Sequence, residues 1–357
     1  MARSHRWSPE QTGRRKVIIS VAIFLLLAVA GLAYIKWWPY YNKAWNAAIH
    51  HTIGNSILSG QDSAIPEPSW HAAWEYAAVY YKAVWKAALL GILLGSLLQV
   101  LLPSAWLLKA LGGTTFGSTA VGGVASLPGM MCSCCAAPMT VGMRKKQASV
   151  GASLAFWLGN PTLNPATLVF MTFVLSWKFT LIRLVFGLLL TFGVSYFANR
   201  FAGDARLPHE LATASEEAGA EHPEPWLKRW LASISSMLLH LIPAYALAVL
   251  LLGAARAWLF PVIDAAGSNS LWTVIGFAIA GTLFVIPTAA EIPIIQSLMS
   301  AGLGGGPAAA LLLTLPAVSL PSMLMVARSF PVKVIVFVAG AVIVLGILSG
   351  LTGAWLL

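Results

Sequence analysis

Every cysteine of the chain falls in one short stretch. Cys132, Cys134 and Cys135 are bracketed by Pro128-Gly129 and Pro138 and accompanied by Met130, Met131, Met139 and Met143. Thiolates and thioethers are soft donors, suited to Cu(I), zinc or other thiophilic centres. Three crowded thiols cannot form a paired disulfide framework. A structural zinc site needs about four ligands, and no second Cys or His cluster lies near in sequence. A lone cysteine in an apolar helix is usually a small buried hydrophobe. Three between helix breakers read instead as free thiols facing a cavity, a reactive pair or a soft contact set. Glu291 is the second candidate: it reads as the one acidic residue within the apolar segments of the two halves described below. A carboxylate at membrane depth is costly and marks a functional position, with proton coupling as the expected role and hydration at an outer surface as the plain alternative. Asn160 and Asn164 come third. Their amides both donate and accept, and the prolines that follow them free backbone carbonyls for a substrate or partner. Hydrogen-bonded glue between helices explains them equally well.

These residues sit in a chain built for lipid. Of its 357 residues, 58% are hydrophobic and 10% charged, with mean hydropathy +0.78, against about 25% charged in soluble domains. The formal charge of +10 does not indicate nucleic acid, because the basic residues flank apolar runs instead of sharing a soluble face. No GxxxxGK[ST] pattern occurs, so neither an ATP-driven pump nor a cofactor is expected. Arg14, Arg15 and Lys16 precede an apolar run over Val17–Ile35, and Ala28-Val29-Ala30 resembles a signal-peptidase site. The run continues to about the 20 residues of a true span, so a retained first helix is expected.

Five regions follow. Residues 1–40 carry a cytoplasmic N-terminus and the first helix, ending in the interfacial cluster Lys36 to Tyr40. Residues 41–79 read as an extracytoplasmic loop with a surface helix. Residues 80–202 form a first transmembrane repeat containing the cysteine hairpin. Residues 203–227 are acidic and read as a disordered cytoplasmic linker. Residues 228–357 form a second repeat containing a Glu291 hairpin. Within the repeats, Ala105–Leu127 with Met130–Met143, and Leu271–Pro287 with Ile292–Ala301, are too short or glycine-interrupted to be full spans. Each pair reads as a re-entrant hairpin, since irregular backbone at membrane depth must be buried or line a cavity. The spacing of Pro138 and Pro161 equals that of Pro293 and Pro316, which marks an internal repeat. The Arg144-Lys145-Lys146 triplet reads as a cytoplasmic boundary. Lys36, Lys43, Lys82, Lys86, Lys178, Arg183 and Arg256 fall outside as a minority of the basic residues. The fold class expected is an all-α integral membrane protein, an inverted-repeat transporter with an extra N-terminal helix. It has about seven spans of about 20 residues each, plus two hairpins.

The CSC segment ending in Ala136-Ala137-Pro138, the run from Gly151 through GNPTLNP to Pro165, and the divergent second copy resemble the predicted permeases that include the ArsP-type organoarsenical exporters. The resemblance implies a membrane permease, with Cys132 and Cys134 matching the family's paired cysteines. Cys135 stands where a small residue is more usual. It further implies secondary transport of a thiophilic or sulfur-containing small solute across the inner or plasma membrane, with trivalent organoarsenicals leading. Cys132, Cys134, Cys135, Asn160 and Asn164 would contact the solute, and Glu291 would couple protons. No enzyme activity, metal centre or nucleic acid partner is implied. Beyond solute and lipid, a second copy or an accessory subunit is left open. Two other readings stand beside it: a thiol redox or sulfur-transfer protein, which needs a reactive thiolate, and a soft-metal ion permease.

Overall fold

The computed structural model describes residues 9–58, 66–202, 226–261 and 269–357. All regular structure there is helical. Among the described residues, five helices are long and apolar enough to cross a membrane: Ile18–His50, Trp70–Leu101, Trp177–Ala202, Gly305–Val326 and Val332–Leu356. Large apolar side chains such as Leu26, Leu181, Val336 and Leu348 stand exposed on them, as a lipid-facing surface requires. The chain is an all-α integral membrane protein.

The first helix does not stop at Tyr40. Helix α1 (Pro9–Leu32) passes through a π-turn (Ala33–Trp37) directly into α2 (Trp38–His50). Pro39 lacks the N–H that an α-helix would use, and a π-turn is a way to accommodate that loss without ending the helix. Helix α3 (Trp70–Leu101) likewise begins well before Tyr80, capped by Ser69, whose side chain accepts from the Ala72 N–H. Part of the expected loop is therefore helix, and Glu75 lies on a membrane-crossing helix. Glu291 is thus not the one acid on these helices.

The first hairpin region comprises α4 (Ser104–Leu111), α5 (Phe116–Ser126) and α6 (Ser133–Lys145), followed by α7 (Val150–Thr162) and α8 (Pro165–Val174). Residues 148–177 are not one span: the helix breaks at Leu163-Asn164, since Pro165 cannot continue it. Helices α9 (Trp177–Leu188) and α10 (Ser195–Ala202) run on through a second π-turn. The acidic stretch 203–225 lies outside the described residues, and Trp226 already belongs to α11 (Trp226–Leu259). Helices α12 (Leu271–Leu283), α13 (Glu291–Ser300), α14 (Gly305–Ala317), α15 (Leu320–Val326) and α16 (Val332–Leu356) complete the chain.

Local geometry recurs between the halves at a constant offset. Gln147 follows α6 and Gly302 follows α13, both with positive φ, at 61° and 102°. The N–H of Ala148 bonds to Met143 O at 3.0 Å, and that of Leu303 to Leu298 O at 2.9 Å; both are Schellman caps. Asn164 caps α8 and Ser319 caps α15 at the same offset. Packing alternates correspondingly: α5 lies on α7 and α12 on α14, while α6 contacts α15 and α13 contacts α8 across the halves. The broken segments therefore interlock at the centre.

Several charges expected on the surface are buried. Lys36, Arg144, Arg183 and Arg256 expose 5% or less of their surface. Arg144 donates to Ser329 O at 3.2 Å and to Ala148 O at 2.5 Å, with its guanidinium over Phe330. It ties the end of α6 to the turn before α16, beyond any role as a boundary charge. Arg256 reaches Glu75 at 3.4 Å and lies over the Tyr76 ring, joining α11 to α3. Long arms tied to carbonyls, rings and carboxylates satisfy these cations away from water.

Candidate functional site

Both hairpins break at a residue held in the left-handed region without being glycine: Met130 (φ 48°) before α6 and Ala289 (φ 69°) before α13. Such conformations cost about 1–3 kcal/mol each and persist where the surroundings over-determine them. After the first break, Cys132 is the N-cap of α6, in extended conformation, and Cys134 and Cys135 occupy its first turn. One helical turn brings Cys132 Sγ and Cys135 Sγ to 3.0 Å. The close pair is therefore Cys132 with Cys135, a C-x-x-C spacing. Cys134 points elsewhere, to Ser319 Oγ at 3.5 Å at the break of the second half. All three thiols are free and buried.

After the second break, Glu291 opens α13 and is 1% exposed. Its Oε1 accepts from Arg183 Nη1 at 2.7 Å, and its Oε2 is buried without a partner. Arg183 also donates to Pro161 O at 2.7 Å and to Thr162 O at 3.2 Å. Pro165 has no N–H to offer Pro161 O, and the Ala166 N–H is taken by Asn164 Oδ1 at 3.1 Å. The carbonyls released at the Asn164-Pro165 break are thus satisfied by Arg183. Arg183, expected among the exterior charges, is instead buried at the α7–α8 break.

The two breaks meet. Cys132, Pro161, Thr288, Glu291 and Pro316 line one small cavity, so the first thiol and the carboxylate share a wall, with the equivalent prolines of both halves beside them. Asn160 and Asn164 do not line it. Asn160 Nδ2 donates to Phe156 O at 2.9 Å, its Oδ1 is without a partner, and Gly129 packs so closely that a Cβ there would lie 2.1 Å from that oxygen. Asn164 Oδ1 caps α8, receiving Ala166 and Thr167 N–H groups, and its Nδ2 is unpartnered. Among the described residues, no group of three or more His, Cys, Asp or Glu side chains is placed to hold a metal ion.

Two further sets of residues join the site. Tyr76, Tyr80 and Tyr81 on α3 form a ring cluster with Tyr245 of α11. The Tyr80 and Tyr245 hydroxyls lie 2.5 Å apart, and Tyr76 donates to Val285 O in the second break. Tyr76 and Tyr80 are one helical turn apart, a spacing readable in the sequence as one face of α3. The extra helix supplies the other set. Lys36 Nζ donates to Thr288 Oγ1 at 3.0 Å and Tyr40 Oη at 3.2 Å, while Trp37 Nε1 donates to Pro128 O at 2.9 Å. Consecutive residues of the first helix therefore hold the breaks of both hairpins.

Known proteins resemble this chain over most of its length. The ArsP_1 family, described as predicted permease, matches residues 84–353. The chain is 50% identical over 332 residues to UPF0718 protein YraQ of Escherichia coli (strain K12), covering 92% of this chain and 93% of that protein. It is 23% identical over 259 residues to UPF0718 protein MJ0584 of Methanocaldococcus jannaschii, covering 56% and 71%. No solved structure matches it. With the match running through both hairpins, both breaks and every residue of the central cavity, this chain belongs to the ArsP_1 family of predicted permeases.

Proposed function

We propose that the protein is a secondary transporter for a thiophilic small solute, working by alternating access around the two interlocked hairpins. The observation that carries this reading is the shared cavity: Cys132, in contact with Cys135, and Glu291 both line it at the meeting point of the two breaks. Two thiols 3.0 Å apart suit a soft centre that takes two sulfur contacts, which favours trivalent organoarsenicals or sulfur-containing solutes. Two crossings, α7–α8 and α9–α10, lie between α3 and α11, so α11 runs opposite to α3 and the second half is inverted, the plan in which broken helices meet at a central site. The N-terminus is assigned to the cytoplasm of the inner or plasma membrane, on the positive-inside rule. In this scheme Cys134 senses the partner half through Ser319, and Asn160 and Asn164 shape the breaks. Glu291 carries the coupling proton on its unpartnered Oε2, while Arg183 holds the other oxygen.

Everted vesicles from cells expressing wild type, Cys132→Ser, Cys135→Ser and Glu291→Gln test the assignment with a trivalent methylarsenical and with a thiol solute. Loss of uptake in both cysteine variants, together with loss of its dependence on the pH gradient in Glu291→Gln, is the expected pattern. Unchanged transport in all three variants sinks it. A redox role is the second reading, favoured by the C-x-x-C contact. It predicts rapid oxidation of Cys132 and Cys135 to a disulfide by mild oxidant, and slow oxidation removes it.

A further inference from the structure

Lys36 is a lysine inside a membrane-crossing helix, 4% exposed, and its hydrogen-bond partners are two neutral hydroxyls, Tyr40 and Thr288. A buried ammonium without a carboxylate is expensive. It borders a cavity of about 510 Å³ between the first helix, α3 and the second break, whose wall also holds Lys43, Lys86 and Cys135. Among the described residues lining this cavity none is acidic. The nearby carboxylate, Glu291, is already matched by Arg183. The first turns of α6 and α13 reach this wall through Cys135 and Pro293, with Ala289 and Ala290 just ahead of α13, and each helix N-terminus adds partial positive charge. Lysines, paired carboxylate and helix ends sum to one sign.

We infer that this cavity is the entry site for a small anion, with Lys36 as the cation that receives it at the threshold of Cys132 and Cys135, and that the carried solute therefore bears negative charge. The inference rests on the permease reading and narrows it from thiophilic solutes in general to anionic ones. The physical logic is division of labour: ammonium groups select charge, and the thiols behind them select a soft atom. A low-dielectric cleft lined by one sign of charge also concentrates counter-ions, raising encounter rates by about 10-fold or more.

The test reads the cavity directly. Ala83, on its wall and exposed, is replaced as Ala83→Cys, and the protein in liposomes is labelled with sulfonatoethyl or trimethylammonioethyl methanethiosulfonate. The rate for the protein without this substitution, in which Cys135 lines the same cavity, is subtracted. The anionic reagent is expected to react about 10-fold faster than the cationic one. Lys36→Gln should remove most of that preference, and Lys36→Arg should keep it, which separates charge from folding. Thiosulfate, a soft anion, should slow labelling in the Ala83→Cys protein and not when Lys36→Gln is added, with sulfate a weaker protector. Equal rates for the two reagents, or no protection by either anion, overturns the inference. Labelling needs no transport, so a protein that shows both effects yet carries nothing refutes the permease reading alone. Carriage of a neutral methylarsenical at a rate indifferent to Lys36→Gln refutes the anion alone.

Discussion

At the scale of single residues, the Arg183–Glu291 pair decides what the centre can do. Both side chains are buried, at 0% and 2% exposure, and 2.7 Å apart, so neither can lose its partner cheaply. Breaking a buried pair from one side costs about 3–5 kcal/mol, because the remaining charge is left uncompensated. Arg183 additionally holds two carbonyls at the α7–α8 break, whereas Glu291 holds nothing else. Arg183→Leu is therefore expected to destabilise more than Glu291→Gln, and adding Glu291→Gln to Arg183→Leu should recover part of the loss. Thermal unfolding in detergent, followed by tryptophan fluorescence, measures the ordering. If Glu291→Gln proves the more damaging, the arginine is not the structural anchor described.

At the scale of elements, glycine sets how closely the hairpins approach their supports. Helix α3 lies against α6 through Gly91 and Gly95. A Cβ at Gly91 would come 2.2 Å from Cys135 O, and one at Gly95 would come 2.7 Å from Pro138 O. Small residues at membrane-helix contacts permit this backbone approach, and here the approach fixes the very turn that carries the thiols. Because the obstructing atoms are backbone, Gly91→Ala must push α6 away. Overpacking of this kind costs about 1–3 kcal/mol. Reduced thermal stability and a loss of transport are expected for Gly91→Ala, while Gly276→Ala, which meets open space, should leave both unchanged. Equal effects from the two substitutions would remove the close approach as the cause. Pro128-Gly129, Pro138 and the Asn-Pro pairs made these breaks legible in the sequence, because proline and glycine act through local backbone geometry. The partners of Arg183 and Lys36 were not legible: they lie 108 and 252 residues away in the chain. A charge at the end of an apolar run looks the same whether it snorkels to water or clamps a carbonyl. The extension of the first helix to His50 was hidden for a related reason, since Pro39 reads as a stop unless a π-turn absorbs it.

At the scale of the whole molecule, the interlocked halves make a claim about sidedness. The turn after α6 (Lys146-Gln147) and the turn after α13 (Ala301-Gly302) are equivalent positions with equivalent caps. Two copies in the same orientation would place both turns on one face of the membrane, and inverted copies would place them on opposite faces. Charge supports inversion, since Arg144, Lys145 and Lys146 precede the first turn and no basic residue lies near the second, as expected for a cytoplasmic and an external face. Lys146→Cys and Ser300→Cys, each labelled with a membrane-impermeant maleimide in whole cells and in everted vesicles, settle the matter. The first should label from the cytoplasmic side and the second from the outside. The unsubstituted protein, labelled alongside, gives the background of the native thiols, Cys135 on the cavity wall included. If both substituted positions label from one side, the halves are parallel, the hairpins cannot open alternately, and alternating access around a central thiol–carboxylate cavity has to be abandoned even though the helical packing stands.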